Sequence, residues 1–430
     1  MNPKSYQSRV APCLAAALAL VGCARGPAPA IDPDIAAEVD HIRAIDDHAH
    51  PVRFVAAGES PDRGFDALPV DNMEPSSDPV NLRPNAPAAA EAERALYGGA
   101  RNKQRTVQEH GSQYPAWVLD QMGVEVMLAN RVEMGPSIQP PRFRWVPYAD
   151  ALMFPLDNSR IAAQTPDRKL FFPLEDVLRA RYLEAVGLKA PPATLAEYLA
   201  RVVTPTLERQ KQGGAVAEKF EAAYLRSLAF DRVDRAMADR IYAAKGTPSN
   251  ADYKALQDYL FRYLAAECGR LGMAVHIHTM TGAGSYFDIA GANPLNLESV
   301  LEDQSLRKTR FVMIHGGWPF THEMSALLWR PNAYLDFSSQ VWLLEPARMA
   351  AILREWLENV PEKVMFGTDA YPFSNELGWE ELGWIAARNG REALARALTG
   401  MLRDGEITRQ RASELARMVL RDNARVLYGL

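Results

Sequence analysis

The sequence predicts an α/β protein folded as a (β/α)8 TIM barrel, with insertions after the first and third strands. Strand-like apolar runs alternate with helical patterns along most of the chain, which is typical of a parallel sheet. The runs number eight, as a barrel requires, and several end directly on His or Asp. They begin near Ala44, Val124, Phe143, Ala215, Met273, Phe311, Ala333 and Val364.

The clearest helix between strands is predicted over residues 250–271. Apolar residues recur there at helical spacing, and Gly272 follows as a C-terminal stop. Residues 345–359 and 407–427 have a similar pattern.

Two segments are longer than barrel connections require. Residues 51–115 follow the first strand and residues 150–212 follow the third. We therefore expect both at the carboxyl ends of the strands, as a lid or a pocket wall. The Pro- and Asn-rich stretch 69–87 is more typical of surface decoration.

Composition favours a soluble globular body acting on a small molecule. The chain has 430 residues, 48% of them hydrophobic, and a formal net charge of −5. Lys and Arg are scattered among a comparable number of acids, so nothing indicates nucleic acid binding. Assembly into a homo-oligomer is left open by the sequence.

The N-terminus has the pattern of an export signal. Lys4 and Arg9 precede a short apolar stretch over residues 14–21, which is too short to span a bilayer. The tetrapeptide ending at Cys23 is similar to the bacterial lipobox, in which the cysteine is lipidated. A plain secretory signal with an incidental cysteine is the alternative.

These patterns divide the chain into three parts. Residues 1–22 are predicted to be a lipoprotein-type signal peptide, residues 23–38 a tether, and residues 39–430 the barrel. The expected location is the periplasmic face of the cell envelope, with the outer membrane favoured. The only expected membrane contact is the lipid anchor.

The cysteines support a body without disulfides. Cys13 would leave with the signal and Cys23 would carry lipid, so Cys268 would remain alone in the mature chain. Cys268 lies on the apolar side of a predicted helix, and we expect it in the core.

Histidines at alternate positions give the first sign of chemistry. His48 and His50 close one strand-like run, and His276 and His278 close another. Side chains alternate along a strand with period two, so each pair lies on one face. One metal ion could bind both members of a pair.

Strand parity extends the set. The β-branched Val312 and Ile314 are assigned to the outer face, which turns His315 inward. The same rule assigns to the outer face Val216, Phe220, Val275, Ile277, Val364 and Phe366. It assigns to the inner face Lys219, His276, His278 and Asp369. Imidazole and carboxylate ligands suit zinc, with manganese, nickel or iron compatible.

The motifs resemble those of the metal-dependent amidohydrolase superfamily, in its amidohydrolase-related branch of hydrolases and non-oxidative decarboxylases. The resemblance covers nearly the whole mature chain. It is carried by Asp-His48-Ala-His50-Pro, His278-Thr, His315-Gly-Gly-Trp-Pro, Phe-Gly-Thr-Asp369-Ala and Asn423-Ala-Arg-Val-Leu-Tyr-Gly-Leu.

The resemblance implies that His48, His50, His278 and Asp369 bind the metal. His315 would bind a second metal or transfer a proton. His276 is a departure from the family pattern, which needs one histidine on this strand. We favour His278 because it lies nearer the mouth, with His276 one layer deeper.

Lys219 stands where binuclear relatives carry a carbamate that bridges two metals. The alternative is an ion pair with Glu221 on the same face. The number of metal ions therefore stays open between one and two, and the carbamate on Lys219 stays open with it.

Two further residues are candidates for substrate binding. Arg226 follows the fourth strand, and its guanidinium could hold a substrate carboxylate. Trp318 follows His315 and could wall the pocket, although an aromatic residue at a barrel mouth can equally be packing.

The ligand set favours a hydrolase acting on an amide, lactone or ester bond of a small molecule. A divalent cation lowers the pKa of a bound water to about 7. Asp369 would act as general base and then general acid, and His315 would help stabilise the oxyanion. The alternatives are a metal-dependent decarboxylase of an aromatic or unsaturated acid and, less favoured, a non-catalytic binding lipoprotein.

Overall fold

The computed structural model describes residues 30–56, 58–62, 64–68, 78–83, 85–99, 102–244, 246–374 and 377–430. The predicted signal peptide, Cys23 and the first part of the predicted tether lie outside these residues. In the part of the chain that is described, no helix is both long and apolar enough to cross a membrane.

The described residues contain eight strands, and each begins within two residues of a predicted run. They are β1 Ala44–Ala49, β2 Val124–Asn130, β3 Phe143–Val146, β4 Ala217–Phe220, β5 Ala274–His278, β6 Phe311–Ile314, β7 Ala333–Asp336 and β8 Val364–Met365. The α/β class predicted from the sequence is confirmed.

All strand pairs are parallel and follow chain order. One sheet has the order β1-β2-β3 and the other has the order β4-β5-β6-β7-β8. Parallel bridges join Trp145 to Ala215 and Tyr148 to Lys219, beside β3 and β4. At the other edges, the Asp47 amide donates to the Phe366 carbonyl at 2.9 Å. Backbone hydrogen bonds therefore link the two sheets on both sides.

Helices follow most of the strands. The α-helices are α1 Pro33–His41, α2 Pro87–Tyr97, α3 Lys103–His110, α4 Tyr114–Gln121, α5 Ser159–Ala162, α6 Pro166–Ala185, α7 Leu195–Tyr198, α8 Thr204–Gln212, α9 Ala222–Leu225, α10 Arg235–Ala243, α11 Asn250–Leu271, α12 Glu298–Leu301, α13 Thr321–Leu327, α14 Gln340–Leu343, α15 Pro346–Asn359, α16 Trp379–Arg403, α17 Arg409–Arg417 and α18 Asn423–Tyr428. Single turns of π-helix are formed by Leu199–Val203 and Met418–Asp422.

The predicted helix 250–271 coincides with α11. Ser249 caps its N-terminus by accepting from the Asp252 amide, and Gly272 ends it in the left-handed conformation with a φ of 69°. Cys268 of this helix is fully buried, as expected.

A small apolar cluster joins residues from most of the strands, and we call it the inner cluster. It consists of Ile45, Val126, Leu128, Val146, Ala217, Ala274, Val312, Ile314, Met365, Ala424 and Leu427. Strands β1 to β6 and β8 contribute to it, together with α18. The Asn423 side-chain amide donates to the Val364 carbonyl at 2.9 Å, which holds α18 under the amino ends of the strands.

The folded body begins earlier than the tether prediction placed it. Helix α1 starts at Pro33, and Asp32 caps it by accepting from the Asp34 and Ile35 amides. Its Val39 is fully buried in the second and larger apolar cluster, which we call the outer core. Residues 33–38 of the predicted tether therefore lie in a helix with an apolar face, which the Ala- and Pro-rich composition hid.

Candidate metal centre

Strand β1 is irregular where its histidines lie. The register with β2 shifts between Asp46 and Ala49. Such bulges re-aim side chains and are frequent beside functional sites. Here the irregularity places His48 and His50 side by side, with their Nε2 atoms 3.3 Å apart.

Three ligand atoms converge from three strands. His48, His315 and Asp369 each offer one atom, and these atoms lie within 4.8 Å of one another. His48 Nε2 lies 3.2 Å from Asp369 Oδ1, and His50 Nε2 lies 3.4 Å from the same oxygen. The predicted ligands of β1, β6 and β8 are therefore brought together.

His315 reaches this place by a different route from the one predicted. Val312 and Ile314 belong to the inner cluster, so the prediction that they face outward was wrong. Both faces of this strand are buried, so branched residues do not mark the outer one. His315 turns inward because it leaves the strand with a φ of 70°. Its amide donates to Asp336 Oδ1 at 2.8 Å, which fixes the turn.

The parity of β5 and β8 follows the prediction, whereas β4 follows it in part. Val275, Ile277, Val364 and Phe366 lie in the outer core. Phe220 also lies there, but Val216 packs against the inner cluster, contrary to the prediction. Val216 lies before β4 begins at Ala217, so the alternation of the strand does not extend to it.

Asp369 is positioned by contacts with the first strand. Its amide donates to the His48 carbonyl at 2.7 Å. Just before it, the Thr368 hydroxyl donates to Asp46 Oδ2 at 2.6 Å and the Thr368 amide donates to Asp46 Oδ1 at 2.9 Å. The Ser339 hydroxyl donates to Asp369 Oδ2. The carboxylate that faces the histidines is thus held by contacts with β1 and with the segment after β7.

The protonation states suit a cation. Burial, and then the nearby Lys219, lowers the pKa of His48 well below its usual range. Burial likewise lowers the pKa of His315. Burial alone would raise the pKa of Asp369, but His315 and His48 hold it well below its ordinary value. Neutral imidazoles beside an ionised carboxylate are the forms that bind divalent metals, so the residues present fit such an ion.

His50 is held by two partners that the sequence analysis missed. Its Nδ1 lies 2.8 Å from Asp66 Oδ2 and 3.1 Å from the Tyr148 hydroxyl. Burial would lower the pKa of His50, but Asp66 and Asp369 raise it to about 10. The carboxylate orients the ring so that Nε2 faces Asp369. Asp66 lies in a loop without strand or helix pattern, so no local signal could have found it.

The two histidines of β5 lie at different depths. His278 lines the open cavity, and its ring centroid is 4.7 Å from that of His315. Its Nε2 lies 2.8 Å from the Met280 carbonyl, which leaves Nδ1 as the nitrogen able to bind a metal. His276 lies deeper, with Nε2 2.7 Å from the Tyr428 hydroxyl of α18. This is the layering expected from the sequence.

Lys219 is fully buried at the floor of the site. Its Nζ lies 3.3 Å from His48 Nε2 and 3.8 Å from Glu221 Oε1. Burial is the main cause that raises the pKa of Glu221, to about 7, although Lys219 opposes it. Two roles were considered for Lys219, a carbamate beside the metal ligands and an ion pair with Glu221. Both are compatible with these distances.

A cavity of about 420 Å³ opens above the group and is lined by His50, Lys219, His278, His315 and Asp369. From the segment after β1 it also receives Asp66, Leu68, Asp78 and Pro79. The expected pocket wall is thus provided by part of residues 51–115. No described residue of 150–212 is among its lining.

Arg226 and Trp318 are not where a substrate-binding role requires them. The Arg226 guanidinium donates to Gln257 Oε1 at 3.0 Å and to Asp258 Oδ1 at 2.5 Å. It is buried against these partners and does not line the cavity. Trp318 packs against the outer core, and its carbonyl accepts from the Thr281 amide at 3.1 Å. Neither residue lines the cavity, because position after a strand does not fix side-chain direction.

The chain belongs to the amidohydrolase family, whose model (Amidohydro_2) matches residues 184–430. It is also 28% identical over 207 residues to protein fluG of Emericella nidulans, a stretch that covers 46% of this chain. That stretch spans only 23% of the fluG protein.

Solved structures share the fold at low sequence identity. A candidate metal-dependent hydrolase from Lactobacillus casei has a TM-score of 0.64 at 16% identity, covering 93% of this chain and 98% of that one. Glucuronate isomerase from Caulobacter crescentus has a TM-score of 0.58 at 12% identity, covering 92% and 93%. Uronate isomerase from Thermotoga maritima has a TM-score of 0.55 at 13% identity, covering 92% and 96%. These likenesses concern the fold alone.

Proposed function

We propose that the protein is a metal-dependent hydrolase that acts on an amide, lactone or ester bond of a small molecule. The observation that carries this proposal is the convergence of His48, His315 and Asp369, within 4.8 Å of one another, at the floor of an open cavity. Zinc is the proposed ion because imidazole and carboxylate are its common ligands.

The proposed ligands are His48, His50, His278, Asp369 and His315, with Lys219 as a carbamate if a second ion binds. The proposed scaffold is a closed (β/α)8 barrel. Its closure is supported by the backbone bonds that join the two sheets on both sides. Active sites of that fold lie at the carboxyl ends of the strands, where these side chains are found.

When bound, a divalent cation supplies Lewis acidity that lowers the pKa of water to about 7 and polarises a carbonyl. Asp369 accepts the proton of the attacking water and passes it to the leaving group. The hydrogen bond from Ser339 to Oδ2 leaves Oδ1 directed at the histidines. In the alternative role considered for His315, in which it does not bind an ion, its neutral ring would help to stabilise the oxyanion.

Substitution of the proposed base tests this function. Asp369→Asn should bind zinc and lose about 10²- to 10⁴-fold in kcat, because the proton acceptor is removed. The assay is release of alcohol or amine from a panel of aryl esters, lactones and aryl amides, with metal content measured in parallel. Asp231→Asn, whose side chain is 72% exposed, is the matched control. Full activity in Asp369→Asn would contradict the proposed proton role.

The number of metals and the state of Lys219 are measured together. Metal analysis gives one or two equivalents of zinc per chain, and mass spectrometry of the folded protein detects carbon dioxide on the lysine. Two equivalents with the added mass support a bridging carbamate. One equivalent without it supports the pair with Glu221, which lies 3.8 Å away.

The decarboxylase alternative uses the same side chains, His48, His50, His278 and Asp369. It is distinguished by the product, because a decarboxylase releases carbon dioxide and a hydrolase releases an amine or an alcohol. An assay for both products on the same zinc-loaded protein separates them.

We also propose that Cys23 carries a lipid that holds the protein at the cell envelope. The binding partner proposed for the protein is its small-molecule substrate. The tetrapeptide ending at Cys23 supports this. Cys23→Ser should move the protein from the membrane fraction to the soluble fraction. An unchanged distribution would contradict the anchor.

A further inference from the structure

The end of β7 carries none of the side chains predicted for the site, yet it contacts His315 at three points. Asp336 Oδ1 accepts from the His315 amide at 2.8 Å, and the Gln340 side-chain amide donates to the His315 carbonyl at 2.8 Å. Ser338 Oγ lies 2.8 Å from His315 Nδ1. All four residues are at most 2% exposed, so water does not compete for these bonds.

One polar atom of His315 is left over by these contacts. The amide, the carbonyl and Nδ1 are each bonded to residues 336–340. Nε2 has no hydrogen bond within the part of the chain that the structure describes, and His315 lines the cavity. The chemistry that His315 can perform therefore depends on whether Nε2 carries a proton or a lone pair.

Asp336 decides the direction of the bond between Ser338 and His315. Its Oδ1 accepts from the backbone amides of His315 and Ser338, at 2.8 and 3.1 Å, and lies 2.7 Å from Ser338 Oγ. An amide can only donate, so Oδ1 is an acceptor and the Ser338 hydroxyl donates to it. A hydroxyl has one hydrogen, so the Ser338 oxygen is left to accept from Nδ1–H of His315.

A neutral imidazole holds one ring proton, and the bond that one nitrogen makes fixes the state of the other. With the proton on Nδ1, Nε2 of His315 carries a lone pair. The ring that bears this lone pair lies among the other site histidines, with its centroid 4.9 Å from that of His48 and 4.7 Å from that of His278. A lone pair can bind a cation or accept a proton, but it cannot donate a hydrogen bond to an oxyanion.

We propose that Ser338, itself held by Asp336, is a positioning residue that fixes His315 in the tautomer protonated on Nδ1, with the lone pair of Nε2 directed to the cavity. Metal binding and proton acceptance are compatible with this tautomer. Donation to an oxyanion by the neutral ring is not. The inference rests on the proposed function in taking the cavity to be the reacting centre.

NMR spectroscopy of the zinc-free protein with ¹⁵N-labelled histidine rings tests this near neutral pH. Correlations between ring carbon-bound protons and ring nitrogens distinguish a protonated nitrogen from one with a lone pair. The His315 signals are identified as those lost in His315→Gln. In the unmodified protein Nδ1 of His315 should be protonated and Nε2 should not. Ser338→Ala should lose this preference, so that a protonated Nε2 appears.

Thr309→Val is the matched control for the loss of a buried hydroxyl. Thr309 is 1% exposed, and its hydroxyl donates to the Ala265 carbonyl at 2.8 Å, before the start of β6. This variant should leave the His315 signals unchanged.

A proton on Nε2 of His315 in the unmodified protein, or an equal mixture of the two tautomers, would overturn the inference. Retention of the Nδ1 proton in Ser338→Ala would overturn it as well. The spectrum of the unmodified protein is decisive even without the variant. The measurement needs neither zinc nor turnover, so a failure of the proposed function, seen as no turnover of any ester, lactone or amide, is recognised separately.

Discussion

His50 is held from two sides by side chains that come from distant parts of the chain. Asp66 reaches Nδ1 from the segment after β1, and Tyr148 reaches it from the segment after β3. A carboxylate on the far nitrogen fixes the ring and makes the other nitrogen a better ligand. The geometry at a single histidine thus depends on a loop residue outside every strand.

Removal of the carboxylate from Asp66 should weaken metal binding. Asp66→Asn is expected to raise the Kd for zinc by about 10- to 100-fold, measured by competition with a chromogenic chelator. Asp78→Asn is the matched control, since Asp78 lines the same cavity without contacting a histidine in the described contacts. An unchanged Kd in Asp66→Asn would show that Tyr148 alone suffices to orient the ring.

At the scale of elements, α18 completes the interior. Its Ala424 and Leu427 belong to the inner cluster, and its Tyr428 reaches His276. This short helix therefore packs beneath the layer that contains the proposed metal-binding residues.

Truncation of Leu427, which is 3% exposed, should destabilise the fold. Leu427→Ala is expected to lower the free energy of unfolding by about 2 to 5 kcal/mol, because it leaves a cavity in the inner cluster. The neighbouring Val426 is 81% exposed. Val426→Ala should therefore change it by less than about 0.5 kcal/mol. Urea unfolding followed by circular dichroism measures both. A similar effect of the two variants would argue against burial of α18.

The strands could be predicted because each is a short apolar run bounded by polar residues. Each strand of the structure begins within two residues of a predicted run. Their faces were harder to predict, as Val312 and Ile314 show, because both sides of these strands are buried. His48, His278 and Asp369 were found because they end strand runs. Asp66 was not, because a loop residue that meets its partner only in the folded chain carries no periodic pattern.

At the scale of the whole molecule, the proposed metal joins both ends of the strand order. His48 lies in β1, His50 follows that strand, His315 follows β6, and Asp369 follows β8. An ion bound by all of these residues would link segments that are not held together in the unfolded chain. Binding should therefore stabilise the native state.

Zinc should therefore raise the Tm. At a free concentration 100 times Kd the gain is about 2.7 kcal/mol, which scanning calorimetry of protein with and without the ion detects. His48→Ala should abolish the shift. His322→Ala, whose side chain is 88% exposed, should keep it. A full shift in His48→Ala would place the stabilising ion elsewhere.

Ile45 packs in the same cluster as Leu427, and this bears on the order in which parts of the chain fold. These residues lie near the start and the end of the described chain, so their contact closes almost the longest loop available. Contacts so far apart in sequence form late and slow the folding rate. Until residues 423–428 have docked, Ile45 and its neighbours on the other strands lack part of their apolar cover, and the newly made chain is then most exposed to misassociation.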